Sequence, residues 1–152
     1  DQGVFLDHTG ILDGPDPNTP EEHGEWDIEH PDKVYLRGAG NYWLAWDGDL
    51  PIGMVGGQDI GGVIELRRMF VRADYRRRGV ATALVRSLIE YSRTHGARAI
   101  ELWTGPDGPG RWLYQTLGFR QTTGLGPEFS LENPTLHRYV PSADEIRMRL
   151  DL

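Results

Sequence analysis

The sequence predicts an α/β domain on a mixed, mostly antiparallel sheet with flanking helices, and three observations carry that prediction. Residues 63–103 read as strand, helix, strand, which demands a right-handed crossover and at least one parallel pair. Residues 41–55 hold two apolar stretches about Asp47-Gly48, the pattern of a β-hairpin. Near the end, Ile146, Met148, Leu150 and Leu152 alternate with charged residues, as a half-buried antiparallel strand does.

A chain of 152 residues, 38% hydrophobic and with five tryptophans, fits one domain with a real core. Nothing approaches the run of about 18 apolar residues that a membrane helix needs, so no membrane association is expected. Cysteine is absent, which removes disulfides, thiolate metal sites and a cysteine nucleophile, and fits a cytoplasmic location. The net charge of −7 is uneven. Residues 1–32 hold ten carboxylates and no lysine or arginine, whereas residues 33–152 hold thirteen carboxylates against sixteen basic residues. An acidic lead segment therefore precedes a mildly basic body.

Taken in order, residues 7–32 are dense in Pro, Gly, Asp and Asn and read as irregular, either a solvated loop or a wall of a substrate site. Tyr42, Leu44 and Trp46 form the first hairpin strand, and Ile52 to Val55 return. The stretch GGQDIGG reads as a second flexible turn. Residues 63–71 are apolar and β-branched enough for a strand, which Asp74 and the arginines end. From Gly79 to His95 the period becomes helical, with Val80, Leu84, Leu88 and Tyr91 on one stripe, and Gly96 standing at the C-cap position. ARAIELW is the next strand. The loop TGPDGPG offers Asp107 as an N-cap, or Pro109 in the first turn, for a short helix that Gly118 stops. Phe119 begins another strand, and residues 122–144 form a long, weakly patterned connection of the kind that is often functional.

The loop DYRRRGVA carries the most chemistry. A strand, an arginine-rich turn, a glycine and a helix start suit a phosphate group: the first-turn amides are unpaired and the helix dipole is positive there. Gly79 and the small Ala81 permit close approach, and Arg76, Arg77 and Arg78 add charge. The plain alternative is a solvated arginine run, which leaves the glycine unexplained. The G-x-x-x-x-G-K-[ST] and G-x-G-x-x-G patterns are absent, and an acidic chain without an aromatic RNA-binding signature argues against nucleic acid. Five histidines show no metal-ligand spacing, and no metal site is expected; His95 reads as a helix-end cation.

Arg76-Arg77-Arg78-Gly79-Val80-Ala81 resembles the Q/R-x-x-G-x-G/A motif of the GNAT superfamily of acetyl-CoA-dependent N-acetyltransferases. ELRRMFV before it and LYQTLGF after it look like landmarks of the same family, at the expected separation. The resemblance covers roughly residues 41–121 and implies a GNAT-like sheet with a central splayed parallel pair. It divides the chain into a lead segment, 1–40, and an acetyl-CoA-binding domain, 41–152. Acetyl-CoA would lie between the strands of Phe70 and Leu102, its pantetheine arm on the backbone of Met69, Phe70 and Val71. Its pyrophosphate would rest on the loop through Arg77, Arg78, Gly79, Val80, Ala81 and Thr82, with Arg76 and Asp107 alongside. Ala81 stands where a second glycine is commoner. The family's first strand and two helices are not legible in residues 1–40.

Acetyl transfer needs an acid for the leaving thiolate and a base for the amine. The resemblance casts Tyr114, in Y-x-x-x-G-F, as the acid; the alternative is a core tyrosine. Glu65, eleven residues before Arg76, matches a catalytic glutamate of some members, and its apolar strand neighbours would tune it. Otherwise Glu65 faces solvent or pairs with an arginine. Glu101 is the second candidate and a water relay the third. The implied acceptor is an amine: a small metabolite or amino sugar first, a peptide N-terminus second. A cationic acceptor suits the acidic segment. A homodimer is left open, and the rival reading is a non-catalytic acyl-CoA-binding module.

Overall fold

A computed structural model of the chain describes residues 26–123, 139 and 141–152. Among the described residues two single-turn helices come first, α1 (Trp26–Glu29) and α2 (Pro31–Val34). Then follow β1 (Asn41–Asp47), β2 (Leu50–Asp59), β3 (Val63–Val71), a 3-10 turn (Ala73–Tyr75), α3 (Val80–Thr94), β4 (Ala99–Thr104), α4 (Pro109–Thr116), β5 (Arg120–Thr122) and β6 (Ile146–Asp151). The sheet order is β1-β2-β3-β4-β6-β5. Only β3 and β4 run parallel; the other four pairs are antiparallel.

Helix α3 lies across one face of this sheet. Its Leu84, Val85 and Leu88 pack with Ile64, Leu66, Ile100, Leu102, Phe119 and Met148 in the main core. Burial of each such side chain stabilises by about 1.5–3 kcal/mol. Gly79 (φ 80°) and Gly96 (φ 81°) bound the helix in left-handed conformations that glycine adopts without cost.

The strands and the two longer helices fall where the apolar periods put them, but four local expectations do not hold. Gly56 and Gly57 belong to β2, not to a flexible turn: Gly56 pairs with Tyr42 and Arg67, and Gly57 with Asn41 and Leu66. They are glycine because a Cβ on Gly56 would stand 2.6 Å from the Tyr35 ring, and one on Gly57 2.8 Å from Ile64. The turn is confined to Ile60, Gly61 and Gly62, pinned by the Asp59 carboxylate, which accepts the Gly61 and Gly62 N–H at 3.0 and 2.8 Å. The helix cap at α4 is Gly108 and not Asp107, with Pro109 in the first turn as the alternative expectation had it. The charged face of β6 is solvated only toward its end: Arg147 is 5% exposed, whereas Asp151 is exposed. Finally, residues 26–34 are helical and packed: Asp27, Ile28, Val34 and Tyr35 are buried. Residues 1–25 of the lead segment, and most of the connection between β5 and β6, lie outside the described residues.

Candidate functional site

The parallel pairing of β3 and β4 is short. It joins Val63 to Ala99, Ile64 to Ile100 and Glu65 to Glu101, and then ends. Beyond it β4 turns to β6, pairing as far as Thr104 with Ile146, while β3 stays with β2 as far as Val71 with Gly53. The two strands therefore diverge, and among the described strands none pairs with the β4-facing edge of residues 66–71. Met69, Phe70 and Val71 occupy that edge. Phe70 is 45% exposed, whereas Met69 and Val71 pack on the core.

A bulge shapes the same stretch. Gly56 pairs with Arg67 but Met54 pairs with Phe70, so β3 carries one extra residue between them. Arg68 takes up the excess at φ 57°. For a non-glycine residue such a conformation costs on the order of 1–3 kcal/mol.

The arginine loop continues directly from this edge. The Arg76 guanidinium reaches back to the Val71 carbonyl at 3.1 Å. Arg77 is left-handed at φ 62°, as is Gly79, so the loop's amides turn about one another in the manner of an anion nest. Arg78 lies over the Tyr75 ring, 5.2 Å from its centroid, and the Tyr75 hydroxyl donates to Asp47 at 2.5 Å. Helix α3 has no side-chain cap and no acidic residue in its first turn. The amides of Val80, Ala81 and Thr82 thus lack a side-chain acceptor, and a Cβ on Gly79 would meet nothing within 4 Å. The diverging β3 edge and an open, positive helix start form one continuous track, fit for an extended ligand ending in phosphates.

On the opposite face from α3, β3, β4 and β6 present charge. Glu65 is 1% exposed. Its apolar neighbours Ile64 and Leu66 point into the core, because adjacent strand residues face opposite ways. The face that Glu65 shares is instead polar, with Gln58 across β2, Glu101 beside it in β4, and Arg67. Glu101 is held by Arg147, through Nε at 3.0 Å to Oε2 and through Nη2 to Oε1, and by Arg149 Nη1 at 2.6 Å. Both oxygens of Glu101 are thus taken by guanidinium donors. Tyr139 lies within electrostatic reach of Glu65 and Arg67. Burial, together with its 2.5 Å hydrogen bond to Glu145, pushes its phenol up to about 12.

Tyr114 sits in the main core, edge-on to Phe119 with centroids 5.6 Å apart. Burial raises its pKa well above the ordinary phenol value. Gly110 lets the first turn of α4 close onto the end of β4, since a Cβ there would stand 3.0 Å from Thr104 Oγ1 and 3.7 Å from the Tyr114 ring. Tyr114 is thereby set beside the strand that leaves β3. Asp107 is exposed in the loop before α4. Among the described residues no group of three His, Asp or Glu side chains is placed to hold a metal ion. No described helix is long and apolar enough to cross a membrane.

Sequence reasoning counted Asp27 among the acids that could gather a cationic amine, whereas it is buried against Arg67 and Arg68; it missed Arg68 and Tyr139. The one available signal was the pair Arg67-Arg68, two consecutive charges that break the alternation of an apolar strand.

Residues 11–119 match the model of the acetyltransferase (GNAT) family. N-acetyltransferase 8 of Homo sapiens is 33% identical over 98 residues, 59% of this chain and 43% of that protein. The chain spans less than half the length of the curated relatives it matches. An acetyltransferase from Streptococcus agalactiae superposes with TM-score 0.71 at 20% identity, covering 99% of this chain and 90% of that one. A Bacillus subtilis acetyltransferase solved in complex with CoA gives 0.62 at 22% identity, covering 87% and 86%. At such identities these two likenesses speak for the fold alone. Because the family match begins well before the arginine loop and runs on past the last helix, the chain belongs to the acetyltransferase (GNAT) family.

Proposed function

We propose that the chain transfers an acetyl group from acetyl-CoA to a primary amine of a small molecule or peptide. The observation that carries this reading is the divergence of β3 from β4 after Glu65 and Glu101, from which β3 runs on into the open N-terminus of α3. An extended pantetheine arm would lie along Met69, Phe70 and Val71, and the pyrophosphate on the amides from Arg77 to Thr82. Arg76, Arg77 and Arg78 add charge around it. The Bacillus subtilis neighbour that was solved with CoA lends this placement support through a shared fold.

In the reaction the amine nitrogen attacks the thioester carbonyl carbon, a C–N bond forms, and the C–S bond breaks. Glu65, directly or through water, takes the proton that the nitrogen sheds. Tyr114 gives its phenolic proton to the departing sulfur. Burial keeps that proton on oxygen until the thiolate develops, although it also makes the phenol a weaker acid than an exposed tyrosine. The products are an amide and the free thiol of CoA. Asp27 cannot lure a cationic acceptor, since it is buried in ion pairs; a cationic preference rests on the carboxylates before it.

The rival is an acyl-CoA-binding module without turnover, and the placement of Tyr114 and Glu65 about the splay favours the enzyme. A thiol-release assay with acetyl-CoA and an amine panel separates the two. Amine-dependent release of CoA is expected. Binding of acetyl-CoA without release for any amine would leave the module.

A further inference from the structure

Arg67 and Arg68 are consecutive, yet both reach the same carboxylate. Arg68 donates to Asp27 through Nε at 3.0 Å and Nη2 at 2.7 Å, and Arg67 Nη2 stands 3.7 Å away. In a regular strand two consecutive side chains point to opposite faces. Here the extra residue of the bulge, Arg68 at φ 57°, turns its guanidinium onto the face of Arg67. Asp27 itself is wholly buried and also accepts the Tyr35 hydroxyl. Tyr35 in turn lies flat on Gly56, the residue paired with Arg67. Burial alone would raise the Asp27 pKa, but the Arg68 hydrogen bonds and the two guanidinium charges outweigh it and hold the carboxyl below its usual value. A left-handed arginine and a buried carboxylate are each costly alone, and each offsets the cost of the other.

The bulge stands between Glu65, where parallel pairing ends, and Met69–Val71, the edge that leaves β4. We propose that Asp27 is a positioning residue: by fixing Arg68 in the bulge it sets the course of β3 beyond Glu65 and so the width of the acyl-CoA gap. The lead segment thus reaches the cofactor side of the site through the sheet, without touching the cofactor. This inference rests on the proposed acetyl-CoA site, and its test is built to separate the two.

Position 68 offers a clean comparison. Arg68→Ala and Arg68→Gly deprive Asp27 of the same partner, but only glycine accepts φ near 57° without cost. Arg68→Gly should bind acetyl-CoA at least tenfold more tightly than Arg68→Ala. Asp27→Asn should weaken binding by a similar factor, and Arg68→Gly added to it should restore most of the loss. Without ligand, amide exchange at Met69, Phe70 and Val71 should quicken in Asp27→Asn and Arg68→Ala at temperatures far below melting. A merely structural ion pair would lower the melting temperature of all variants, Arg68→Ala more than Arg68→Gly because of its backbone, and leave the Ala and Gly variants equal in affinity. Equal affinities together with unchanged exchange at Met69–Val71 would overturn the inference. A wild-type chain that binds no acetyl-CoA would sink the functional reading instead, and the ligand-free exchange would still decide whether Asp27 holds the bulge.

Discussion

Replacing Gly79 by glutamate puts a side chain and a negative charge at the start of α3, and the structure separates the two effects. A Cβ at Gly79 meets nothing within 4 Å, so packing costs nothing. The backbone stands at φ 80°, where an L-residue is disfavoured by about 1–2 kcal/mol. For a domain of this size, each kcal/mol lowers Tm by roughly 2–4 °C. Gly79→Ala bears the same backbone cost, so both variants should melt below wild type, Glu slightly above Ala because a carboxylate at a helix N-terminus stabilises by about 0.3–1 kcal/mol. Toward the ligand the charge is repulsive. A carboxylate about 5 Å from one phosphate charge repels it by roughly 0.8 kcal/mol in water and about 3 kcal/mol at an effective dielectric of 20. Gly79→Glu should therefore bind CoA from about fourfold to about two hundredfold more weakly than Gly79→Ala. The difference should shrink as salt rises. Calorimetric titration at low and high salt, with a melting curve on each variant, reads all of this. Wild-type affinity in Gly79→Glu would refute the placement of the pyrophosphate.

Tyr114→Phe keeps the ring against Phe119 and removes the donor; kcat should fall by roughly 10²–10⁴ with acetyl-CoA affinity and Tm nearly unchanged, whereas a core tyrosine would leave turnover normal. Because burial raises the Tyr114 pKa, the wild-type rate should show no alkaline limb from this phenol in the ordinary assay range. Glu65→Gln and Glu101→Gln should part company: the first should lower kcat by a similar factor. The second leaves Arg147 and Arg149 facing a neutral group, costing about 3–5 kcal/mol of stability, seen by denaturant titration, with CoA affinity kept. Asp27, whose pKa is lowered on folding, stabilises the protein above its unfolded pKa, and that contribution is lost as pH falls below about 4. Asp27→Asn should flatten this acid limb of the stability curve, and an unaltered limb would mean that other carboxylates set it.

The legible parts of the fold are those where burial repeats with a period. Val63–Val71, Val80–Thr94 and Ile146–Asp151 each show one apolar face, and each forms the expected element. Gly79, Gly96 and Gly118 could be assigned because each ends or begins a period and takes a positive φ. What sequence hid is what depends on a distant partner. Gly56 and Gly57 read as a turn because the Tyr35, Ile64 and Leu88 atoms that exclude a Cβ come from other elements. Asp27 read as a solvated acid because the two arginines that bury it stand about forty residues on. Of the candidate site, the loop Arg76–Thr82 was legible from local chemistry alone. The environment of Glu65 was not, since its neighbours in sequence lie on the opposite face and its companions, Gln58, Arg67, Glu101 and Tyr139, arrive from four places in the chain.

Amide hydrogen exchange with and without CoA addresses the account most directly, because the proposed track is made of backbone. Adding CoA should slow exchange at two separated stretches together, the β3 edge at Met69–Val71 and the start of α3 at Val80–Thr82. The outer amides of β1 and β5 should not change. Protection confined to other parts of the sheet, or none at saturating CoA, would contradict the placement of acetyl-CoA in the gap between β3 and β4.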